Sequence, residues 1–173
     1  YIGLRKSVQG ENEGSFPVTL TVTDNTQLTD SLTVTVSVRA NRAPVAVISY
    51  DPLNPLSLVL VTFDGRASYD PDAPADMIVS YRWDFADDGS SQMAPLVTHT
   101  FLTPGTWRVT LTVTDSFGAP DSEFVDVIVG NRPATASLVL SPTRAFTFVD
   151  ITATGTASDP DGTIASARIL WGD

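Results

Sequence analysis

The chain has 173 residues, enough for one large domain or about two small ones, and its 42% apolar and 17% charged residues exclude an intrinsically disordered segment. A net charge of −10 and a pI near 4.3 exclude nucleic acid and anionic membrane surfaces, which require basic patches, but suit divalent cations wherever carboxylates cluster. Cysteine is absent, which excludes disulfide and thiolate–metal chemistry, and no apolar run is long enough to span a bilayer.

No basic-then-apolar leader follows Tyr1, which fits a mature or excised piece of a longer precursor. The first clear elements are "VTLTVTD" (Val18 to Asp24) and "SLTVTVSV" (Ser31 to Val38). Their period-2 alternation puts Val18, Leu20 and Val22 on one face and threonines on the other, an antiparallel strand with one buried and one wet side. A short connection, "RANRAP", ends in Pro44, where a new strand can start without donating to a neighbour. Further along come "VTFDGRASYDPD" (Val61 to Asp72) and "YRWDFADDG" (Tyr81 to Gly89). In the second, Tyr81, Trp83 and Phe85 share one strand face and supply core, each burial stabilising by roughly 1.5–3 kcal/mol. Thr103-Pro104-Gly105-Thr106 suits a tight type II turn. It precedes "RVTLTVTD" (Arg108 to Asp115), a last strand to Val129 and the connection "GNRP". Helix signals are nearly missing. Turn clusters every eight to twelve residues or so point to a sandwich or barrel.

The elements repeat as a set. "VTLTVTDN" at Val18 returns as "VTLTVTDS" at Val109, an offset of 109 − 18 = 91. Asn41 maps to Asn131 at offset 90, Asp70 to Asp159 at 89, and Phe85 to Trp171 at 86. Self-similarity at one period across separate anchors predicts a tandem array. The expected organisation is the C-terminal half of a unit (1–40), a linker (41–43), a complete unit (44–129), a second linker (130–132), and the N-terminal half of another unit (133–173).

The complete unit resembles a PKD domain, the β-sandwich module named after polycystic kidney disease protein. The likeness is carried by "VTFDGRASYDPD", "YRWDFADDG", "HTFLTPGTWRVTLTVTDSFG" and the strand to Val129, in the family's order. It implies an all-β, immunoglobulin-like Greek-key sandwich of seven strands. The sequence departs from the usual "WDFGDG": Ala86 replaces the glycine and Asp88 is inserted before Gly89. The first half-unit has Glu13-Gly14 where the complete unit has Pro104-Gly105, and "GEN" (Gly10 to Asn12) where the aromatic strand belongs.

The acidic turn "DPD" is the candidate for chemistry. Ca2+ takes six to eight oxygens, chiefly carboxylates and carbonyls. The resemblance implies a calcium site made by this turn, the aspartate ending the "VTVTD" strand and an asparagine in the preceding linker. Carried over residue by residue, these are Asp70, Asp72, Asp115 and Asn41 in the complete unit, and Asn131, Asp159 and Asp161 in the next. Asp24 is the matching residue of the first half-unit. The competing reading is an Asx turn in which Asp70 binds backbone amides and no metal. An EF-hand is excluded, since Ala75 stands where its loop needs glycine and Tyr81 where it needs glutamate.

His99 is the single histidine and reads as structural; Asp84, Asp87 and Asp88 read as a solvated loop. No nucleophile elbow, zinc-protease motif, phosphate loop or dinucleotide fingerprint occurs, so the chain reads as non-enzymatic.

Tyr1 aligns with Gln92 and Asp173 with Asp87, so both ends fall around one loop of the repeat. Three arrangements account for this: a window of a longer array, closure of one molecule's ends on each other, or head-to-tail completion of one copy's half-unit by the next. The expected function is an extracellular or cell-surface structural or adhesive repeat, a stalk, sheath or filament component, whose partners are copies of itself or neighbouring repeats. The alternative is an accessory module of a secreted hydrolase that binds matrix polysaccharide or collagen. That reading predicts an exposed aromatic strip drawn from Trp107, Tyr50 and Tyr69.

Overall fold

In the computed structural model, which describes residues 13–172, every regular element is a strand, and the chain divides into two compact units, Tyr1–Arg42 and Ala43–Asp173. The described part of the first unit is one hairpin of β1 (Gly14–Thr23) and β2 (Thr29–Val38). Asp24 closes its turn, its Oδ1 accepting from the Thr26 and Leu28 amides at 2.7 and 2.9 Å and from the Thr26 hydroxyl. These bonds hold its carboxyl below the usual carboxylate range, the Leu28 amide contributing most.

The second unit contains a two-layer sandwich. One layer is β3 (Ser49–Asp51), β4 (Leu60–Asp64) and β7 (Leu96–Thr100), in the order 3-4-7. The other is β5 (Ile78–Phe85), β6 (Ser91–Gln92), β8 (Gly105–Asp115) and β9 (Pro120–Val129), in the order 6-5-8-9. All pairings within these layers are antiparallel. The seven strands match the expected sandwich, and the alternation read in the sequence sets the core. Val109, Leu111 and Val113 of β8 point inward with no exposed surface, against Val61 and Phe63 of β4. Phe63 is the hub, with ring centroids 5.7 Å from Trp83, 5.5 Å from Phe85 and 5.7 Å from Tyr50. Trp83 satisfies its indole N–H on the Ala94 carbonyl at 2.9 Å. Gly65, just past the end of β4, faces the other layer: a Cβ there would lie 2.9 Å from Leu111 Cδ2 and 3.2 Å from the Trp83 ring. Gly105 takes a positive φ of 153°, opening β8 instead of sitting inside a tight turn.

Beyond the linker, β10 (Thr135–Ser141) pairs with β11 (Thr152–Ser158) in a separate two-stranded sheet. The "ARILW" segment, expected to repeat the β5 strand, forms none. In the sandwich β5 is held by β8 on one side and β6 on the other, and residues 167–171 have neither kind of neighbour in their sheet.

Two registers recur along the chain. Gly14 opposite Val38 and Thr23 opposite Thr29 become, 91 residues on, Gly105 opposite Val129 and Thr114 opposite Pro120, and the eight pairs between them shift alike. The three β3–β4 pairs, Ser49 with Asp64, Tyr50 with Phe63 and Asp51 with Thr62, reappear 90 residues on within β10–β11.

The exposure of the hairpin differs from the sequence expectation. Val18, Leu20 and Val22 were to lie on a buried face, yet they are 58%, 59% and 54% exposed. The described part of that unit is a single two-stranded sheet, with no second layer of its own to cover them.

Candidate metal centre

The alternation that buries Val109, Leu111 and Val113 carries one residue further. Asp115, two positions on from Val113 at the end of β8, lands on the inner face and is 1% exposed. Its Oδ1 accepts from the Phe117 and Ala119 amides at 2.9 and 2.8 Å, closing the β8–β9 turn as Asp24 closes β1–β2.

The acidic turn meets it. Asp70 Oδ1 accepts from the Asp72 amide at 2.7 Å, which is the Asx turn expected from the sequence. The chain then coils tightly, the Ala75 and Asp76 amides donating to the Asp72 carbonyl at 3.1 and 3.3 Å. That coil delivers Asp76, 2% exposed, beside the end of β8. Asp76 Oδ1 accepts from the Ser116 amide at 3.0 Å, from the Ser116 hydroxyl and from the Met77 amide at 2.8 Å.

One carboxylate oxygen from each of Asp70, Asp76 and Asp115 lies within 4.8 Å of one from the other two, and all three residues are buried. Each of Asp70 and Asp76 spends Oδ1 on the backbone, and their Oδ2 atoms are buried with no hydrogen-bond partner among the described residues. The Asx turn and an ion site are therefore compatible, because the turn uses one oxygen of Asp70 and leaves the other. Buried unpartnered carboxylate oxygens are costly unless a cation meets them. Hard carboxylate donors without sulfur or imidazole suit Ca2+ or Mg2+ rather than a softer metal.

Of the residues expected from the sequence, Asp70 and Asp115 come together. Asp72 is half-buried and shapes the turn through its amide and carbonyl. Asn41 belongs to the other compact unit. Asp76 was missed: the only hint was a third aspartate in "DPDAPAD", and nothing periodic marks it as inward-facing.

The next acidic turn is used differently. Asp161 Oδ2 accepts from the Arg132 amide at 2.8 Å and from the Ser57 hydroxyl, so it fastens residues 159–161 to the linker and to the loop before β4. Those bonds, Ser57 first, hold the Asp161 carboxyl below the usual range. Its Oδ1 is buried without a partner among the described residues. The Asp161 amide lies 3.4 Å from Asp159 Oδ1, and Asn131 donates its side-chain amide to the Arg132 carbonyl at 2.9 Å. Ser57 N and Gly130 O, 2.8 Å apart, complete this joint.

His99 is buried in the sandwich. Its Nε2 lies 2.9 Å from both Asp87 oxygens, and its ring stacks on Phe85 at 4.1 Å. The Asp87 side chain is only 8% exposed, so it is a buried partner of His99 and not part of a solvated loop. Asp88 lies near enough to form an acidic group with them, but Nε2 is already engaged.

The PKD domain profile matches residues 41–129. The chain belongs to the PKD domain family. This PKD chain is 34% identical over 141 residues to the dyslexia-associated protein KIAA0319 of Homo sapiens, covering 76% of this chain and 13% of that protein. It is 33% identical over 113 residues to collagenase ColA of Clostridium perfringens, covering 63% of this chain and 10% of the collagenase. The chain thus spans only 10–13% of these curated relatives. The crystal structure of the PKD1 domain of Vibrio anguillarum Epp aligns with a TM-score of 0.45 and 30% identity, covering 53% of this chain and 98% of that one. Among the described residues, no helix is long and apolar enough to cross a membrane.

Proposed function

We propose that this PKD chain is a non-enzymatic structural or adhesive repeat of an extracellular or cell-surface protein, and that Ca2+ held by Asp70, Asp76 and Asp115 stiffens each sandwich. The observation that carries the reading is the pair of buried, unpartnered oxygens on Asp70 and Asp76, converging with Asp115. A bound Ca2+ neutralises the carboxylates and ties the 70–76 loop to the end of β8. Extracellular calcium modules commonly bind at roughly 10⁻⁴–10⁻³ M, so such a tie is made outside the cell. The tandem organisation of units is part of the same proposal, supported by the two recurring registers. The Asp161–Ser57 joint then supplies a fixed connection between one unit and the next. Thermal unfolding of the chain in calcium, in magnesium and in chelator tests the reading. A rise in the sandwich's midpoint that saturates with calcium is expected, and an unchanged midpoint overturns it.

The 33% identity with a collagenase favours the accessory reading as the alternative. The aromatic strip it requires is thin. Trp83 is core, Trp107 is half-buried with its N–H on the Thr103 carbonyl at 3.1 Å, and Tyr50 stacks on Phe63. Tyr69, 55% exposed, is left of the expected set. Pull-down on insoluble collagen, chitin and cellulose decides this alternative, and binding to any of them would restore it.

A further inference from the structure

The departure from the usual "WDFGDG" puts two aspartates side by side in the turn between β5 and β6, and the fold sends them different ways. The turn is fixed by its backbone: the Phe85 amide donates to the Ser90 carbonyl and the Gly89 amide to the Phe85 carbonyl, each at 3.0 Å, and Gly89 takes a φ of 72°. Asp87 points inward to His99, whereas Asp88 is exposed, its Oδ1 accepting from the Ser90 amide at 2.8 Å. His99 comes from β7, in the opposite layer. Its ring stacks on Phe85 and meets the edge of Phe101 at 4.8 Å, which holds Nε2 toward the turn. One carboxylate oxygen from each aspartate and a ring nitrogen of His99 lie within 4.8 Å of one another. The arginines on this layer are engaged elsewhere, Arg82 with Asp84 and Arg108 with Asp126. Two carboxylates therefore face a single imidazole, an excess of negative charge that a divalent ion balances.

We propose that Asp87, Asp88 and His99 form a second metal site, which takes Zn2+ or a similar first-row transition ion and staples the two layers of the sandwich together. The donor set decides the metal. One imidazole nitrogen and two carboxylates suit a borderline ion, whereas Ca2+ takes six to eight oxygens. Three protein ligands with a fourth position left to water is the arrangement of an open zinc site, and exposed Asp88 leaves that side facing solvent. Zinc bonds to nitrogen and oxygen of about 2.0–2.2 Å place tetrahedral ligands about 3.3–3.6 Å apart. Nε2 stands 2.9 Å from both Asp87 oxygens, so this pair opens by only about half an ångström to admit the ion. Rotation of the exposed Asp88 side chain closes the remaining distance. A proton on Nε2 passes to water as the ion takes its place, so the contact between Nε2 and Asp87 is exchanged for two metal bonds and both groups keep their packing. The inserted Asp88 is what turns a two-group contact into a three-ligand set.

His99 is the single histidine of the chain, so its ring gives one set of imidazole NMR signals. The test titrates Zn2+ into the 173-residue chain, previously stripped with chelator, while those signals are followed and the unfolding midpoint is measured in parallel. The ring signals are expected to shift and saturate with zinc, and the midpoint to rise with them. In Asp88→Asn the amide oxygen can still accept from Ser90, so the turn is kept. That variant should need roughly tenfold or more zinc for the same shift and should lose most of the midpoint rise. Calcium at the same concentrations should leave the ring signals where they are. Ring signals that do not respond to zinc, that respond equally in Asp88→Asn, or that respond alike to calcium would each overturn the proposal. Asp76→Asn changes the buried trio and leaves these three residues in place, so the zinc response is read independently of the calcium reading.

Discussion

Replacing Asp76 with asparagine keeps the shape of the side chain and removes one charge from the buried trio. Its Oδ1 continues to accept from the Ser116 and Met77 amides, so the loop stays attached to the end of β8. Two unit charges 4.8 Å apart, the outer limit within this cluster, repel by roughly 3–4 kcal/mol at an effective dielectric of 20. Without calcium, Asp76→Asn removes two such pairs, so in chelator the variant should be as stable as wild type or more so. With calcium the order reverses. A ligand at a hundred times its dissociation constant stabilises the folded state by about 2.7 kcal/mol. For a unit of this size that is a midpoint rise on the order of 10–20 °C. Wild type should show this rise, and Asp76→Asn should lose most of it.

Differential scanning calorimetry of both proteins, in saturating calcium and in chelator, gives the four midpoints. Asp88→Asn serves as a control, because Asp88 is exposed and its carboxyl is held down by Ser90 outside the trio. The reasoning is refuted if the calcium shift is the same in Asp76→Asn as in wild type, or if the variant in chelator is less stable by several kcal/mol. The first outcome removes Asp76 from the ion's shell. The second makes its carboxylate a structural hydrogen-bonding group and nothing more.

Trp83→Ala should cost the sandwich about 3–5 kcal/mol in urea unfolding, since Trp83 is fully buried on the Phe63 hub and its indole N–H is paired; a loss below about 1 kcal/mol would contradict that packing. Gly65→Ala should destabilise by about 1–3 kcal/mol through overpacking on Leu111. Combined with Leu111→Ala it should cost clearly less than the sum, and strict additivity would show that the two do not touch. Asp24 gives a pH signature. Its folded carboxyl titrates below the ordinary value of about 3.9, so its contribution is full above that pH and is lost as pH falls through the lower folded value. Amide shifts of Thr26 and Leu28 followed by NMR should therefore move below pH 3.9, and a midpoint at or above it would contradict the turn geometry.

The sandwich was legible because its signals are local and redundant. Alternation in 108–115 names the inward face, and "YRWDF" names the aromatics that meet it. The same alternation, run two residues past Val113, already implies that Asp115 points inward. Asp76 could not be read this way. Its burial is produced by the coil of 72–76 against β8, a contact between segments 40 residues apart at Ser116, and no period in the chain reports a loop's direction. Asp87 misled for the same reason: in sequence it is one of several turn aspartates, and only folding brings it under His99. The bare hairpins mark a different limit. Alternation in 18–24 states that a covering layer exists for Val18, Leu20 and Val22, because a strand patterned for water on both sides would not put three aliphatic residues on one face. The matching glycines differ in the same sense as the strands: a Cβ at Gly65 would lie 2.9 Å from Leu111 under a packed second layer, whereas one at Gly155 would meet Ile169 and the Ser137 carbonyl only at ordinary contact distances of 3.5–3.8 Å.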